Sequence, residues 1–165
     1  MVTTMDPRAA HLIETLGLVP HPEGGFYRQT YRSPFLVQPG DDRSPRAALT
    51  TIYFLLTAGD VSRWHIVSSD EVWHFYEGAS LEIFTADRAF IEIERRELGL
   101  VGSSTMPVRV VAARQWQAAR STGAFTLVGC TVAPGFEFAD FSLLRDDPAK
   151  AEDVRQRHPD VAGFI

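Results

Sequence analysis

The chain has one lysine, Lys150, and one cysteine, Cys130. A lone cysteine excludes an intrachain disulfide and agrees with a reducing, cytoplasmic setting. In "FTLVGCTVAP" it sits in a strand-like apolar run, where a free thiol serves as a small core residue rather than a nucleophile. Basic residues number 16 against 21 acidic ones, for a net charge of -5 and a pI near 5.5. No cluster of cations is present to neutralise phosphates, so nucleic-acid binding is not expected. No apolar run approaches the roughly 20 residues that span a bilayer. The start, "MVTTMDPRAAHLIE", lacks a basic stretch followed by an apolar one. Neither a membrane partner nor a secretory signal is expected, and internal repeats and low-complexity linkers are missing too.

What is present reads as one globular domain, 1–165, with a core from about 20 to 145. "DPRAAHLIETLGL" carries apolar residues at helical spacing, with Asp6 as N-cap, Pro7 in the first turn and Gly17 closing the helix. "DPAKAEDVRQRHPD" repeats that grammar from Asp147 to a stop before Pro159. Between these helices lie short β-branched or aromatic runs, among them "GGFYRQTYRS", "AALTTIYFLL", "EVWHFYEG", "PVRVVAA" and "AFTLVGCTVAP", separated by turn residues. "SLEIFTADRAFIEIE" reads as a hairpin turning near Ala86–Arg88, and "IEIERRE" as a strand with one solvated face. Many short strands at close spacing favour a closed or sandwiched β-architecture. The loops "QPGDDRSP" and "LGLVGSSTMP" are the expected flexible insertions, the first overhanging an opening of the barrel.

"GDVSRWHIVSSDEVWHFYEG" concentrates the chemistry. If Ser62–Val67 and Glu71–Glu77 are neighbouring antiparallel strands joined by a tight turn, His65 and Glu71 face one another. An imidazole and a carboxylate converging in a barrel suit two ligands of a divalent metal. They equally suit an acid/base pair whose pKa values are tuned by burial and mutual contact. Alternation puts Glu71, Trp73 and Phe75 on one face, with His74 on the other as a structural or interface residue. Trp73 and Phe75 either line a pocket beside Glu71 or pack as plain core.

Two other stretches are candidates for the site. In "HPEGGFYRQTY", alternation groups Phe26, Arg28, Thr30 and Arg32 against Tyr27, Gln29 and Tyr31. Arg28 is a candidate clamp for a ligand carboxylate or phosphate, or else an exposed strand arginine. His21 and Glu23 flank Pro22 in a turn and either enter the site or make structural hydrogen bonds. In "APGFEFADF", Phe136, Phe138 and Asp140 share a face by strand parity. Asp140 among aromatics needs a partner, with Arg32 or Arg28 the candidates, or serves as a second acid.

The pattern Gly59-x5-His65-x-Val67-x3-Glu71-x6-Gly78 resembles the first motif of the cupin superfamily, with Val67 where that motif has its second histidine. "ARQWQ" resembles a degraded second motif, with Gln117 in the place of its histidine. More narrowly, "HPEGGFYRQTYRS", "WHIVSSDEVWHFYEG", "WQAA" and "VGCTVAPGFEFADF" resemble the cupin 5 branch, a domain of unknown function (985). The resemblance runs from about Leu12 to Leu144. It implies a mainly β double-stranded β-helix, or jelly roll, with an N-terminal helix and a short C-terminal one, and homodimers.

Typical cupins offer three histidines and a glutamate to a divalent metal. Here His65, Glu71 and Gln117 remain, so the resemblance implies a vestigial site that holds metal weakly, and no cofactor is expected. The metal-free sugar-nucleotide epimerases of the same fold use a histidine as base. By that likeness His65 abstracts a proton α to a carbonyl, with Glu71 setting its tautomer or charge. An aromatic wall of Trp73, Phe75 and Trp116 suits a sugar or base. The expected ligand-binding set is Glu23, Tyr27, Arg28, Trp73, Phe75, Trp116, Gln117, Phe136 and Asp140. Three function classes stay open: a metal-independent isomerase or epimerase of a sugar-like small molecule, a divalent-metal cupin enzyme, and a non-catalytic ligand-binding cupin.

Overall fold

The computed structural model describes residues 5–165. The first four residues of the expected 1–165 domain lie outside the described residues.

Helix α1 (Pro7–Leu16) starts where the Asp6 carboxylate accepts from the Arg8 and Ala9 amides and stops where Gly17 turns left-handed at φ 62°. Both ends follow from ordinary capping chemistry. The strands follow in chain order: β1 (Val19–Pro20), β2 (Phe26–Arg32), β3 (Leu36–Val37), β4 (Arg46–Ala47), β5 (Thr50–Thr57), β6 (Val61–Val67) and β7 (Asp70–Gly78). Then come β8 (Leu81–Ala86), β9 (Ile93–Leu98), β10 (Thr105–Met106), β11 (Val108–Val111), β12 (Trp116–Ser121), β13 (Phe125–Ala133) and β14 (Phe141–Leu143). Helix α2 (Pro148–Arg157) is capped by Asp147 and followed by a 3-10 turn, Pro159–Phe164.

Two six-stranded sheets result, ordered β1-β2-β5-β13-β7-β11 and β10-β9-β8-β12-β6-β14. Their facing sides pack Phe54, Leu56, Trp73, Leu81, Ile83 and Val128 into an inner core. The outer side of the second sheet is covered by α2 and the last turn, burying Trp64, Phe84, Phe90, Trp116, Val154 and Phe164. The outer side of the first sheet receives α1, through Leu12, Leu18, Leu55 and Leu127. Cover on both faces explains why "TIYFLLT" and "FTLVGC" read as near-continuous apolar runs instead of alternating.

β8 and β9 form the expected hairpin, with Ala86 opposite Ile93. The turn is longer than expected, because Phe90 at φ 52° is swallowed whole by the outer core. Ile91 is left 71% exposed in the turn, so "IEIERRE" is a strand only from Ile93. β6 and β7 are not ladder neighbours. Ser68 and Ser69 carry the chain from one sheet to the other, so His65 and Glu71 approach across the barrel instead of along a hairpin.

Candidate functional site

Trp73, Phe54 and Phe75 fill the middle of the barrel, Trp73 and Phe54 edge to face at 5.9 Å. Toward the end that carries His65 and Glu71 the packing stops, and a cavity opens. It leaves about 100 Å³ for the centres of water-sized molecules, where about 10–15 Å³ holds a single water. Glu23, His65, Glu71 and Cys130 supply its polar wall, and Tyr27, Phe136, Phe138 and Phe141 an aromatic one.

The imidazole of His65 is buried, and its Nδ1–H donates to the Arg63 carbonyl at 2.7 Å. A carbonyl only accepts, so in the neutral ring Nε2 keeps its lone pair. That nitrogen lies 3.3 Å from Oε2 of Glu23. The tautomer of His65 is thus set by a backbone oxygen of its own strand and not by Glu71. Burial lowers the His65 pKa, against a smaller upward pull from Glu71 and the Arg63 bond.

Glu23 comes from the turn before β2. There the His21 amide donates to the Gly25 carbonyl, and the Glu23 amide donates to His21 Nδ1 at 3.2 Å. The Ser62 hydroxyl donates to Glu23 Oε1 at 2.8 Å, and burial pushes this carboxyl up to about 8. His21 lies 3.5 Å from Glu23 Oε2, packed edge-on to Tyr27 and Phe54. Burial, with His65 adding to it, lowers its pKa to about 3. These contacts have ion-pair spacing, yet the shifts run toward a neutral acid among neutral bases.

Glu71 is oriented from behind. The Trp73 indole N–H donates to Gln117 Oε1 at 3.0 Å, which obliges the Gln117 amide to donate to Glu71 Oε2, at 2.6 Å. Burial raises the Glu71 pKa most; Glu23 adds to the rise, while His65, Gln117 and a hydrogen bond with Cys130 oppose it. Burial also raises the Cys130 thiol well above its usual value, which suits a hydrogen-bonding thiol better than a nucleophile.

Of the residues expected at the site, Glu23, Tyr27, His65, Glu71 and Phe136 line the cavity. The others are elsewhere, each for a physical reason. Tyr27 and Gln29 take the inward face of β2, so Arg28 points outward and donates to the Leu16 carbonyl at the end of α1. Trp73 and Phe75 face inward but are consumed in core packing below the cavity. Gln117 faces inward, so its neighbour Trp116 faces outward into the core under α2. Gln117 itself spends both amide atoms on Trp73 and Glu71. Asp140 sits in a 3-10 turn, Phe138–Asp140, where strand parity does not apply. It pairs with Arg46 and, at 3.4 Å, Arg43, while Arg32 goes to Glu137.

Arg43 also donates to Ser69 at 2.8 Å, lashing the "QPGDDRSP" loop across that end of the barrel. His21, one of the two turn residues expected either to enter the site or to bond structurally, lines the cavity, and Gln29, Ile52, Phe138, Phe141 and Cys130 join it without having been singled out as ligand-binding. For Gln29 and Cys130 the available signal was alternation from Tyr27 and from the core position Val128.

The expected ligand set is not brought together: His65 and Glu71 line the cavity and Gln117 does not. Val67 lines the cavity in place of a second imidazole, and the Gln117 amide is engaged by Trp73 and Glu71. Among the described residues, no group of three or more His, Cys, Asp or Glu is arranged to hold an ion. No helix among them is long and apolar enough to cross a membrane.

The architecture has solved counterparts. A protein of Shewanella oneidensis shares 34% identity over 95% of this chain and 96% of its own, at a TM-score of 0.83. A hypothetical protein from Leishmania major shares 27% over the same proportions, at 0.82. Oxalate decarboxylase from Bacillus subtilis shares 11%; the match takes in 84% of this chain and 33% of that one at a TM-score of 0.57, and bears on the fold alone. A comparison with curated proteins finds no match. The family model described as Cupin superfamily (DUF985) matches residues 10–144; the fold is the cupin jelly roll, and the chain belongs to that family.

Proposed function

We propose that the cavity is the active site of a metal-independent isomerase or epimerase acting on a sugar-like hydroxy-carbonyl compound. One observation carries the reading: a buried imidazole with its Nε2 lone pair at the cavity shares that small space with carboxyls whose pKa values burial raises. A neutral base and a neutral acid coexisting at one pH are what proton shuttling next to a carbonyl needs. His65 Nε2 takes the proton from the carbon α to the carbonyl, and Glu71 gives its proton to the carbonyl oxygen, forming an enediol. Return of the proton from His65 to the adjacent carbon, with Glu71 recovering one from the neighbouring hydroxyl, completes isomerisation; epimerisation needs the enediol to turn its opposite face to His65 before the proton goes back to the same carbon. Glu23, 3.3 Å from the same nitrogen, is placed to exchange a proton with it.

The test is incubation in D2O with free aldoses and ketoses and with deoxy-keto nucleotide sugars, following the α C–H by NMR. Exchange or conversion that His65→Ala abolishes while circular dichroism shows the fold retained is the expected result. A ligand bound but never altered would make this a binding module, and neither binding nor exchange with any compound would sink the reading.

Assembly as a homodimer belongs to the same proposal. Tyr31, Tyr76, Val108 and Val110, each about half exposed, lie on the outer face of the first sheet, whose last strand is the open-edged β11. Light scattering at twice 18.4 kDa supports it, and a monomeric mass overturns it.

A further inference from the structure

The cavity's chemistry also limits what enters it, given that it is a small-molecule site. Among the described residues, no lysine or arginine lines it. Arginines of the surrounding segments are already engaged: Arg46 and Arg43 with Asp140, Arg32 with Glu137, and Arg63 with the Glu23 carbonyl. A phosphate or carboxylate reaching the polar wall would meet Glu23, Glu71 and the Cys130 thiol with no counter-charge, and a buried unpaired charge is costly.

The hydrogen bonds themselves define Glu23 further. Its Oε2 faces His65 Nε2 at 3.3 Å and His21 Nδ1 at 3.5 Å. The opposite nitrogen of His65 donates to Arg63, and His21 Nδ1 already accepts from the Glu23 amide. Both nitrogens facing Oε2 therefore carry lone pairs, and the three atoms share a proton or repel. With that proton in place the polar wall donates and accepts without net charge. The aromatic wall, with Phe136 and Phe138 centred 5.0 Å apart and Phe141 6.0 Å from Phe136, suits the C–H face of a ring.

We propose that this cavity takes an uncharged hydroxylated ring compound, of the free sugar, lactone or cyclitol class, and turns away the phosphorylated and carboxylated forms of the same ring. This deepens the isomerase reading but is tested by binding alone.

Ligand-observed NMR at neutral pH would compare glucose, galactose, their lactones and inositol with the matching uronates and sugar phosphates. Wild type is expected to bind members of the neutral set and to hold the anions more than about tenfold more weakly. Gln29→Arg, which puts a cation at the exposed cavity mouth, is expected to recover the anions. Anions bound as tightly as neutral rings by wild type overturn the proposal. So does a Gln29→Arg variant with unchanged anion affinity, and so does a panel in which nothing binds. A neutral ring that binds and is never converted upholds the ligand class while removing the isomerase.

Discussion

The imidazole Nε2 of His65 stands 3.3 Å from Oε2 of Glu23, and this contact joins the two sheets at the polar wall of the cavity. Glu23 arrives from the turn before β2 and His65 from β6, and the backbones are tied as well, with the Arg63 amide donating to the Glu23 carbonyl at 2.9 Å. Burial acts on both partners with opposite sign: it disfavours the carboxylate and disfavours the imidazolium. The two shifts favour a neutral acid beside a neutral imidazole over a salt bridge.

Glu23→Gln tests that state directly. The folded-state carboxyl titrates at about 8 against 4.5 in a free chain. Its stabilising contribution is thus complete below about 4.5 and is lost as pH rises toward about 8, by at most about 1.4 kcal/mol per pH unit. Glutamine reproduces the pattern of the protonated acid, donating toward His65 and accepting from Ser62, without titrating. Urea unfolding should show the variant gaining on wild type steadily between pH about 5 and about 8. Parallel curves would mean that Glu23 is ionised throughout.

His21 shifts the opposite way and governs the acid side. Its pKa falls from 6.5 to about 3 on folding, so its contribution is complete above about 6.5 and is lost as pH falls toward about 3. In His21→Asn the side-chain oxygen still accepts from the Glu23 amide, as in an Asx turn. The variant loses the edge contacts to Tyr27 and Phe54, at about 1–2 kcal/mol near neutrality. Acid titration of the unfolding free energy should bring the two proteins together as pH drops, and a constant gap would refute the shift.

Local alternation makes much of this arrangement legible in the sequence. Glu71, Trp73 and Phe75 do face inward and His74 outward, because β7 is regular up to a bulge at Tyr76. Helix ends were equally readable, since Asp6, Gly17 and Asp147 act within a few residues of themselves. The failures are tertiary. Two serines between β6 and β7 look like a hairpin turn but cross between sheets, and nothing within that segment distinguishes the two. The engagement of Gln117 by Trp73, and of Asp140 by Arg46, spans residues far apart in the chain. Trp116 is an exception, since its outward face follows from an inward Gln117.

Gln117→Leu should be costly for a reason unrelated to volume. It strands the Trp73 indole N–H and one oxygen of Glu71, both buried. Unsatisfied buried groups cost about 1–3 kcal/mol each, so a loss of about 2–6 kcal/mol is expected in urea unfolding. Gln117→Glu should recover part of that at low pH, where a protonated carboxyl can again accept from Trp73 and donate to Glu71. Equal stability of the two variants at every pH would show that the relay contributes little.

Metal affinity should depend on position 67. Cobalt(II) titrated into protein purified without a histidine tag is expected to give no tetrahedral absorption, because among the described residues no three His, Cys, Asp or Glu side chains are arranged to hold an ion. Val67→His supplies an imidazole at a residue that already lines the cavity, and should produce that spectrum. Near-stoichiometric metal in the wild-type protein would overturn the metal-free assignment.

A close backbone approach at Gly24 holds the turn that carries Glu23 against β6 and His65. Gly24 has φ 115°, and a Cβ built on it would lie 2.1 Å from the Val61 carbonyl oxygen. That atom belongs to the β6 backbone and cannot swing aside. Gly59 offers a matched control: it also has positive φ, at 88°, but nothing lies within 4 Å of an added Cβ. Gly59→Ala should therefore carry backbone strain alone, about 1–2 kcal/mol. Gly24→Ala adds a steric push that drives the turn off β6, weakening the Arg63–Glu23 backbone bond and the Glu23–His65 contact together. Thermal unfolding should rank Gly24→Ala below Gly59→Ala by more than about 2 kcal/mol, and a Gly24→Ala protein that still folds should lose the pH-dependent gain assigned to Glu23. Equal melting of the two variants would show that close approach at Gly24 is not what sets the carboxyl beside the imidazole.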